Sequence, residues 1–261
     1  MMGALAGRHA FVTGAGSGIG AAISRALAAE GARVSLVGRR SKPLYDLAAE
    51  LGGEAGLAVP GIDVTDSAAV GRAISLARAA FGPVDILVNN AGEAPSTPFE
   101  RTTLEVWSHV LAIDLTSVFQ VTQALMPDLR ARGAGARIVN VASTAGLTGY
   151  SYVSAYCAAK HGVIGLTRAL ALEFAKTGIT VNAVCPGFTD TPLIRRAAAT
   201  IRDKTGRDEA EALALLAKAN PQGRLVAPVE VANAVVWLAS PGASSINGQA
   251  IVVAGGEIMA G

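Results

Sequence analysis

A glycine-rich loop that joins an apolar run to a helix-forming segment constrains the fold of this chain more than any other feature. The apolar run HAFVT (9–13) leads into GAGSGIG (14–20), and Ala-rich sequence continues to Glu30. A strand that turns through glycines into a helix directs backbone N–H groups and the positive end of the helix dipole at a phosphate. Because 30 glycines in 261 residues produce such spacings by chance, the loop needs support from other motifs. Its expected phosphate-binding residues are Gly14, Ser17, Gly18, Ile19 and Gly20.

Apolar runs alternate with helix-like segments along the rest of the chain. This alternation predicts an α/β fold in which a doubly wound, seven-stranded parallel sheet carries helices on both faces. The carboxyl ends of parallel strands then meet along one edge, where ligands bind in such sheets. Strands are expected at 9–13, 32–38, 57–62, 85–89, 137–142, 179–184 and 249–253, and helices near 18–29, 42–51, 67–80, 101–131, 153–176, 208–219 and 229–239.

The end of the second expected strand indicates which dinucleotide the loop would bind. An acidic residue at that point binds the ribose 2′-hydroxyl of NAD, whereas a basic residue suits the 2′-phosphate of NADP. The strand is followed by Arg39 and Arg40, and no Asp or Glu occurs between Gly31 and Ser41. We therefore expect an NADP(H) site with Arg39 as the first phosphate ligand. NAD(H) is the less favoured alternative. It stays open because neighbouring arginines also occur as solvated loop charges.

A tyrosine and a lysine four residues apart, with a serine thirteen residues before the tyrosine, indicate a proton-transfer site. Tyr156 and Lys160 share a helix face at this spacing. A free phenol has a pKa near 10, and a cation beside it lowers that pKa. The hydroxyl of Ser143 can hold a carbonyl oxygen against the phenol. These three residues are the candidate catalytic residues.

In the order and spacing of these motifs the chain resembles the short-chain dehydrogenases/reductases over nearly its whole length. The family's loop pattern, TGxxxGxG, is matched by residues 13–20. The resemblance implies a single NAD(P)-binding Rossmann domain over 1–261. It also implies that Lys160 holds the nicotinamide ribose and that further residues bind the cofactor: Asp63 and Val64 at the adenine, Asn90, Ala91 and Gly92 after the fourth strand, and Pro186, Gly187, Thr189 and Thr191 beside the nicotinamide.

The same resemblance implies an NADPH-dependent carbonyl reductase or alcohol dehydrogenase. In the reducing direction Tyr156 donates a proton to the carbonyl oxygen while hydride reaches the carbon. Ser143 orients the carbonyl, and Lys160 lowers the pKa of the tyrosine. A non-catalytic, NADPH-sensing protein on the same fold is the alternative, but such a protein has no need of an activated phenol.

One position departs from the family pattern. The family carries an asparagine seven residues after a tryptophan, where it supports a water that links the lysine to solvent; here Trp107 is followed by Asp114. An ionised carboxylate accepts hydrogen bonds but does not donate them, and it raises the pKa of a nearby lysine. Either the backbone holds the water and Asp114 is merely tolerated, which is the simpler interpretation, or the proton relay is slowed or shifted in pH.

The segment 191–228 is where the family places a substrate-binding lid. Its mixed charges are typical of a solvated pair of amphipathic helices; alternatively, some of its basic side chains meet the phosphates of a coenzyme A or carrier-protein thioester. Its length and flanking sequence are similar to those of polyketide and β-ketoacyl ketoreductases. The expected substrate is a 3-oxoacyl thioester or a similar ketone, with an NAD-dependent 3-hydroxybutyrate-type dehydrogenase as the alternative. The aromatic residues available near the pocket are Phe99, Tyr150, Tyr152 and Phe188.

Composition argues against several other classes of protein. The balance of 22 basic and 20 acidic residues gives no case for a nucleic acid or membrane partner. The N-terminal sequence lacks a signal-peptide pattern, and apolar runs fall short of the roughly 18 residues of a membrane span. The two cysteines form no disulfide framework, which favours a reducing cytoplasm. The three histidines are scattered, so no metal site is expected.

The family is commonly homotetrameric, with its main interface on the long helices expected over 101–131 and 153–176. A homotetramer is therefore expected by resemblance. Small residues allow close helix packing there, either between subunits or within one: Ala155, Ala158, Ala159, Gly162 and Gly165.

Overall fold

A seven-stranded parallel sheet forms the centre of the molecule. The computed structural model describes residues 3–259. The strand order is β3-β2-β1-β4-β5-β6-β7, and every neighbouring pair is parallel. The order reverses between β1 and β4, so their carboxyl ends flank the crevice where such sheets bind ligands. The predicted fold class is confirmed.

The elements follow the chain in alternation. The strands are β1 (His9–Thr13), β2 (Arg33–Val37), β3 (Gly56–Val59), β4 (Ile86–Asn89), β5 (Arg137–Val141), β6 (Thr180–Pro186) and β7 (Ala250–Val253). The helices are α1 (Gly18–Ala29), α2 (Ser41–Leu51), α3 (Ser67–Phe81), α4 (Leu104–Leu111), α5 (Ser117–Arg132), α6 (Ser154–Phe174), α7 (Pro192–Thr205), α8 (Glu209–Ala217) and α9 (Pro228–Ala239).

The sheet has a separate apolar core on each face, because successive strand side chains point in opposite directions. In β1, Val12 packs into a core with Leu27 of α1 and Val235 of α9. Its neighbour Phe11 packs into the opposite core with Leu125 of α5. Since both faces are buried, the strands read as continuous apolar runs, which is what made them visible in the sequence.

Several helix ends lie where the sequence places them. Asp66 caps α3 by accepting hydrogen bonds from the backbone N–H groups of Ala68 and Ala69. Gly31, with φ of +86°, follows α1 in the left-handed region, where glycine carries no steric penalty. Pro43 lies in the first turn of α2.

Three element predictions are corrected. The strand expected at 57–62 ends at Val59, because Pro60 and Gly61 follow it. The helix expected over 101–131 is three segments: α4, a π-helical turn at Ala112–Thr116, and α5. Helix α7 was expected only as one of the amphipathic pair in 191–228, without bounds of its own. It starts at Pro192 after the capping residue Thr191.

The continuous helical stretch Leu104–Arg132 is long and apolar enough, by length and composition, to cross a membrane. Its apolar character has a packing role here: Val121, Leu125 and Leu129 lie in the core against the sheet.

Candidate active site

A groove of about 400 Å³ opens at the carboxyl ends of β1, β2 and β4. Its floor is the loop between β1 and α1, where Gly14 and Gly20 have no room for side chains. A β-carbon on Gly14, which has φ of +64°, would lie 2.9 Å from Asn90 Nδ2, and one on Gly20 would lie 2.5 Å from the same atom. This close backbone packing leaves the N–H groups at the start of α1 accessible, so the groove fits a dinucleotide pyrophosphate.

Asn90, just after β4, holds that loop in place. Its side-chain amide donates to the backbone oxygens of Thr13 (2.9 Å) and Gly14 (3.2 Å). Its backbone N–H donates to the hydroxyl of Thr13 at 2.9 Å, as does that of Ala91 at 3.1 Å. The two strands that flank the crevice are therefore tied together where the phosphates would lie.

Two arginines lie at the end of the groove beyond β2, as the sequence predicts. Arg40 donates to the hydroxyl of Ser17 at 2.9 Å. Arg39 forms an ion pair with Glu93 at 2.6 Å, and His109 lies 3.5 Å from the other oxygen of that carboxylate. Glu93 is a groove residue that sequence reasoning missed, since its position directly after the Asn-Ala-Gly motif was the only signal.

The candidate catalytic residues meet at the carboxyl end of β5. Ser143 follows β5 and caps a short 3₁₀ turn, while Tyr156 and Lys160 share one face of α6. The ammonium of Lys160 lies 5.5 Å from the centre of the Tyr156 ring and donates to the backbone oxygen of Val141 at 3.1 Å. The structure thus brings together the three residues that the spacing predicted.

Asp114 lies directly against this cluster. Its side chain is fully buried in the π-helical turn, and Oδ1 is 3.2 Å from Lys160 Nζ. The backbone N–H of Glu93 donates to Oδ2 at 3.3 Å. A β-carbon on Gly92 would lie 2.6 Å from Oδ1 and 3.5 Å from the ammonium. Gly92 also lines the groove, so the ion pair lies at the groove wall.

The buried Asp114 carboxylate and the Lys160 ammonium each alter the pKa of the other. Burial raises the pKa of Asp114, against the opposing effect of Lys160. Burial alone would lower the pKa of Lys160, but Asp114 and then Tyr156 raise it above its ordinary value. Lys160 therefore stays charged over a wide pH range, as a cation beside the phenol must.

The pKa of Tyr156 is raised, whereas its spacing from Lys160 predicts a lowered pKa. Burial is the largest cause, and the Asp114 charge adds to it. Lys160 and a hydrogen bond with Ser143 act in the predicted, lowering direction but do not outweigh burial. The direction differs because the spacing of two charged groups can be read from a sequence, whereas the burial that desolvates them cannot.

The other predicted cofactor residues divide into two groups. Those that line the groove are Gly14, Ser17, Gly18, Ile19, Gly20, Arg39, Arg40, Val64, Asn90, Ala91, Gly92 and Thr191. Those outside its lining are Asp63, Tyr156, Lys160, Pro186, Gly187 and Thr189. The Asp63 carboxylate accepts from the backbone N–H and hydroxyl of Thr65, which lowers its pKa. Adenine contact by Asp63 stays a prediction.

The segment after β6 closes one side of the groove. A β-carbon on Gly18 would lie 3.1 Å from the methyl carbon of Thr191, so the start of α7 packs on the phosphate loop. Arg196 of α7, one of the basic residues of the expected lid, also lines the groove. Within residues 3–259, no group of three or more His, Cys, Asp or Glu side chains is arranged to hold a metal ion.

Comparison with known proteins agrees with this geometry. The family profile for short chain dehydrogenases matches residues 8–202. A Streptomyces coelicolor protein described as a ketoacyl reductase is 42% identical over 251 residues, which cover 95% of each chain. The D-beta-hydroxybutyrate dehydrogenase of Cupriavidus necator is 38% identical over 246 residues, 94% of this chain and 95% of that protein.

A solved structure of similar shape is that of a variant of the actinorhodin polyketide ketoreductase with NADPH. It is 39% identical, covers 98% of this chain and 99% of its own, and superposes with a TM-score of 0.90. Relatives this similar over nearly the full length, together with the family profile, establish that the chain belongs to the short-chain dehydrogenase family of oxidoreductases, which act on alcohol and ketone groups.

Proposed function

We propose that this protein reduces a ketone to an alcohol with NADPH. The observation that carries the proposal is that the cofactor groove adjoins the candidate catalytic residues. Arg39 and Arg40 lie at one end of the groove, and the Lys160–Asp114 pair borders it at Gly92, beside Tyr156. Arginines suit the 2′-phosphate that distinguishes NADPH from NADH. The NADPH bound to the similar polyketide ketoreductase supports the same cofactor.

The residues divide the work as follows. Held in the groove, NADPH would supply the hydride for the carbonyl carbon and would be oxidised to NADP⁺. The phenol of Tyr156 gives its proton to the carbonyl oxygen, so the ketone gains one hydride and one proton and becomes an alcohol. Burial raises the pKa of Tyr156, which keeps the phenol protonated, while the Lys160 charge opposes that rise and favours release of the proton. Ser143 orients the carbonyl, and Lys160 stabilises the phenolate that remains.

We propose a 3-oxoacyl thioester or a similar ketone as the substrate, bound under a lid over 191–228. Support comes from the ketoacyl reductase named among the relatives. Exposed basic side chains of α7 outside the cofactor groove, such as Lys204, are available to phosphates of the thioester carrier. The test is NADPH oxidation with acetoacetyl-CoA beside simple ketones. Turnover with NADPH well above turnover with NADH supports the proposal; tight NADPH binding without turnover of any ketone or alcohol would instead indicate a non-catalytic NADPH-sensing protein.

An NAD-dependent 3-hydroxybutyrate-type dehydrogenase is the second candidate. The relative from Cupriavidus necator favours it, as does the ion pair that engages Arg39 with Glu93. Oxidation of 3-hydroxybutyrate with NAD⁺ but not NADP⁺ would establish this candidate in place of the first.

We further propose a cytoplasmic homotetramer. Leu104, Phe119 and Leu172 lie exposed on α4, α5 and α6, which leaves apolar side chains for a partner subunit to cover. Gly162 serves internal packing instead, because a β-carbon there would lie 2.7 Å from Leu115. Light scattering coupled to gel filtration measures the assembly directly, and a monomeric mass would refute it.

A further inference from the structure

A glutamate near the end of the chain reaches back beside the candidate catalytic residues. Tyr150 donates a hydrogen bond to Glu257 Oε1, and its hydroxyl oxygen lies 2.8 Å from the hydroxyl of Thr144. Thr144 directly follows Ser143. The ring of Tyr150 also packs edge-on against Phe188, with ring centroids 5.9 Å apart. Glu257 is therefore built into the wall formed after β5 and β6.

The second oxygen of this carboxylate has no partner. Glu257 Oε2 is buried and accepts no hydrogen bond from any residue in 3–259. It lies directly over Gly187, where a β-carbon would be 2.6 Å away. A buried acceptor left unmatched is costly, so the arrangement is one that a bound ligand with a donor group would complete.

The position of this carboxylate suits a ligand held at the candidate catalytic residues. Tyr150, Phe188 and Glu257 lie outside the lining of the cofactor groove, as do Ser143 and Tyr156. Tyr150 bonds to Thr144, the residue after Ser143, so a substrate bound at Ser143 would lie near this wall. Tyr150 holds one carboxylate oxygen, which fixes the direction of the other. A rigidly held acceptor selects for a substrate hydroxyl or amine more strongly than a mobile one does.

We propose that Glu257, positioned by Tyr150, is a specificity residue that selects ketones bearing a hydroxyl or amino donor near the carbonyl. The inference rests on the ketone reduction proposed above and, within the substrates proposed there, points to a similar ketone that carries a donor rather than to a 3-oxoacyl thioester, whose reacting ketone has none beside it. The same negative charge disfavours ketones that carry a carboxylate of their own, because two like charges at short range repel.

The test compares two ketones that differ by a single hydroxyl, 3-hydroxybutan-2-one and butan-2-one, by NADPH oxidation. The parent enzyme should prefer the hydroxyketone in kcat/KM by roughly 10- to 100-fold, the range of a hydrogen bond to a charged group. Glu257→Leu should abolish the preference, and Glu257→Gln should retain part of it, since the amide oxygen still accepts. Tyr150→Phe, which frees the carboxylate, should reduce the preference.

An increase in activity with one substrate distinguishes a role of Glu257 in substrate selection from general damage caused by its substitution. With 3-oxobutanoate, Glu257→Gln should raise kcat/KM by at least about threefold, because a repelling charge is removed. Glu50→Gln, at an exposed glutamate of α2 paired with Arg25, serves as the matched control and should keep the parent's ratios. An unchanged hydroxyketone preference in Glu257→Leu, or an equal fall with every ketone, overturns this inference and leaves ketone reduction standing. Failure of the parent to reduce any of these ketones overturns this inference, and failure with acetoacetyl-CoA as well overturns both.

Discussion

Asp114 Oδ1 lies 3.2 Å from Lys160 Nζ, and both side chains are buried. The position of Asp114 seven residues after Trp107 left two interpretations open: a carboxylate that is merely tolerated, or one that slows the proton relay or shifts it in pH. The contact is direct, which favours an electrostatic role for the carboxylate over simple tolerance. It raises the pKa of both Lys160 and Tyr156.

Asp114→Asn should shift the pH dependence of the reaction to lower pH. Alcohol oxidation needs the Tyr156 phenolate, and the parent's carboxylate raises the pKa of that phenol. Removing the charge lowers the pKa, so oxidation should rise at lower pH and ketone reduction should fall off at lower pH. Profiles of kcat/KM from about pH 6 to about pH 11 measure both limbs. Superimposable profiles for parent and variant would show that Asp114 is merely tolerated.

Tyr156→Phe should lower kcat by about 10²- to 10⁴-fold, the usual contribution of a positioned proton donor. NADPH affinity should change little, because the hydroxyl faces the carbonyl rather than the phosphates. Fluorescence titration gives the affinity, and NADPH absorbance gives the rate. Tyr45→Phe, at an exposed tyrosine of α2, is the matched control. Near-parental turnover in Tyr156→Phe would refute the assignment of the proton donor.

The sequence could predict what depends on periodicity and spacing. The alternation of apolar runs predicted the sheet, and a spacing of four residues predicted the contact between Tyr156 and Lys160. Burial and long-range contacts were out of reach. Glu93 meets Arg39 from 54 residues away, and Glu257 meets Tyr150 from 107 residues away. Nothing local to either glutamate signals its partner.

The Arg39–Glu93 ion pair sets up a competition for the 2′-phosphate. Arg39→Ala should raise the KM for NADPH by roughly 10- to 100-fold, the range of a charge-assisted hydrogen bond, with a much smaller effect on NADH. Glu93→Gln should lower the KM for NADPH, because the arginine no longer exchanges a carboxylate for the phosphate. Arg72→Ala, at an exposed arginine of α3, is the control. Equal effects of Arg39→Ala on the two cofactors would place the 2′-phosphate elsewhere.

Two glycine-to-alanine substitutions should have opposite effects on stability. A β-carbon at Gly20 would lie 2.5 Å from Asn90 Nδ2 and against the backbone oxygen of Gly14, so the phosphate loop must move. Gly20→Ala should therefore lower the melting temperature and weaken NADPH binding by at least about tenfold, as lost backbone N–H contacts to the phosphates require.

Gly71 lies in α3 with no atom within 4 Å of its β-carbon position. Gly71→Ala should stabilise the protein by about 0.4–1 kcal/mol through helix propensity, with NADPH binding unchanged. Thermal unfolding and NADPH titration of both variants test the pair. Unchanged binding in Gly20→Ala would show that the loop accommodates a methyl group and is not the rigid phosphate cradle that its packing indicates.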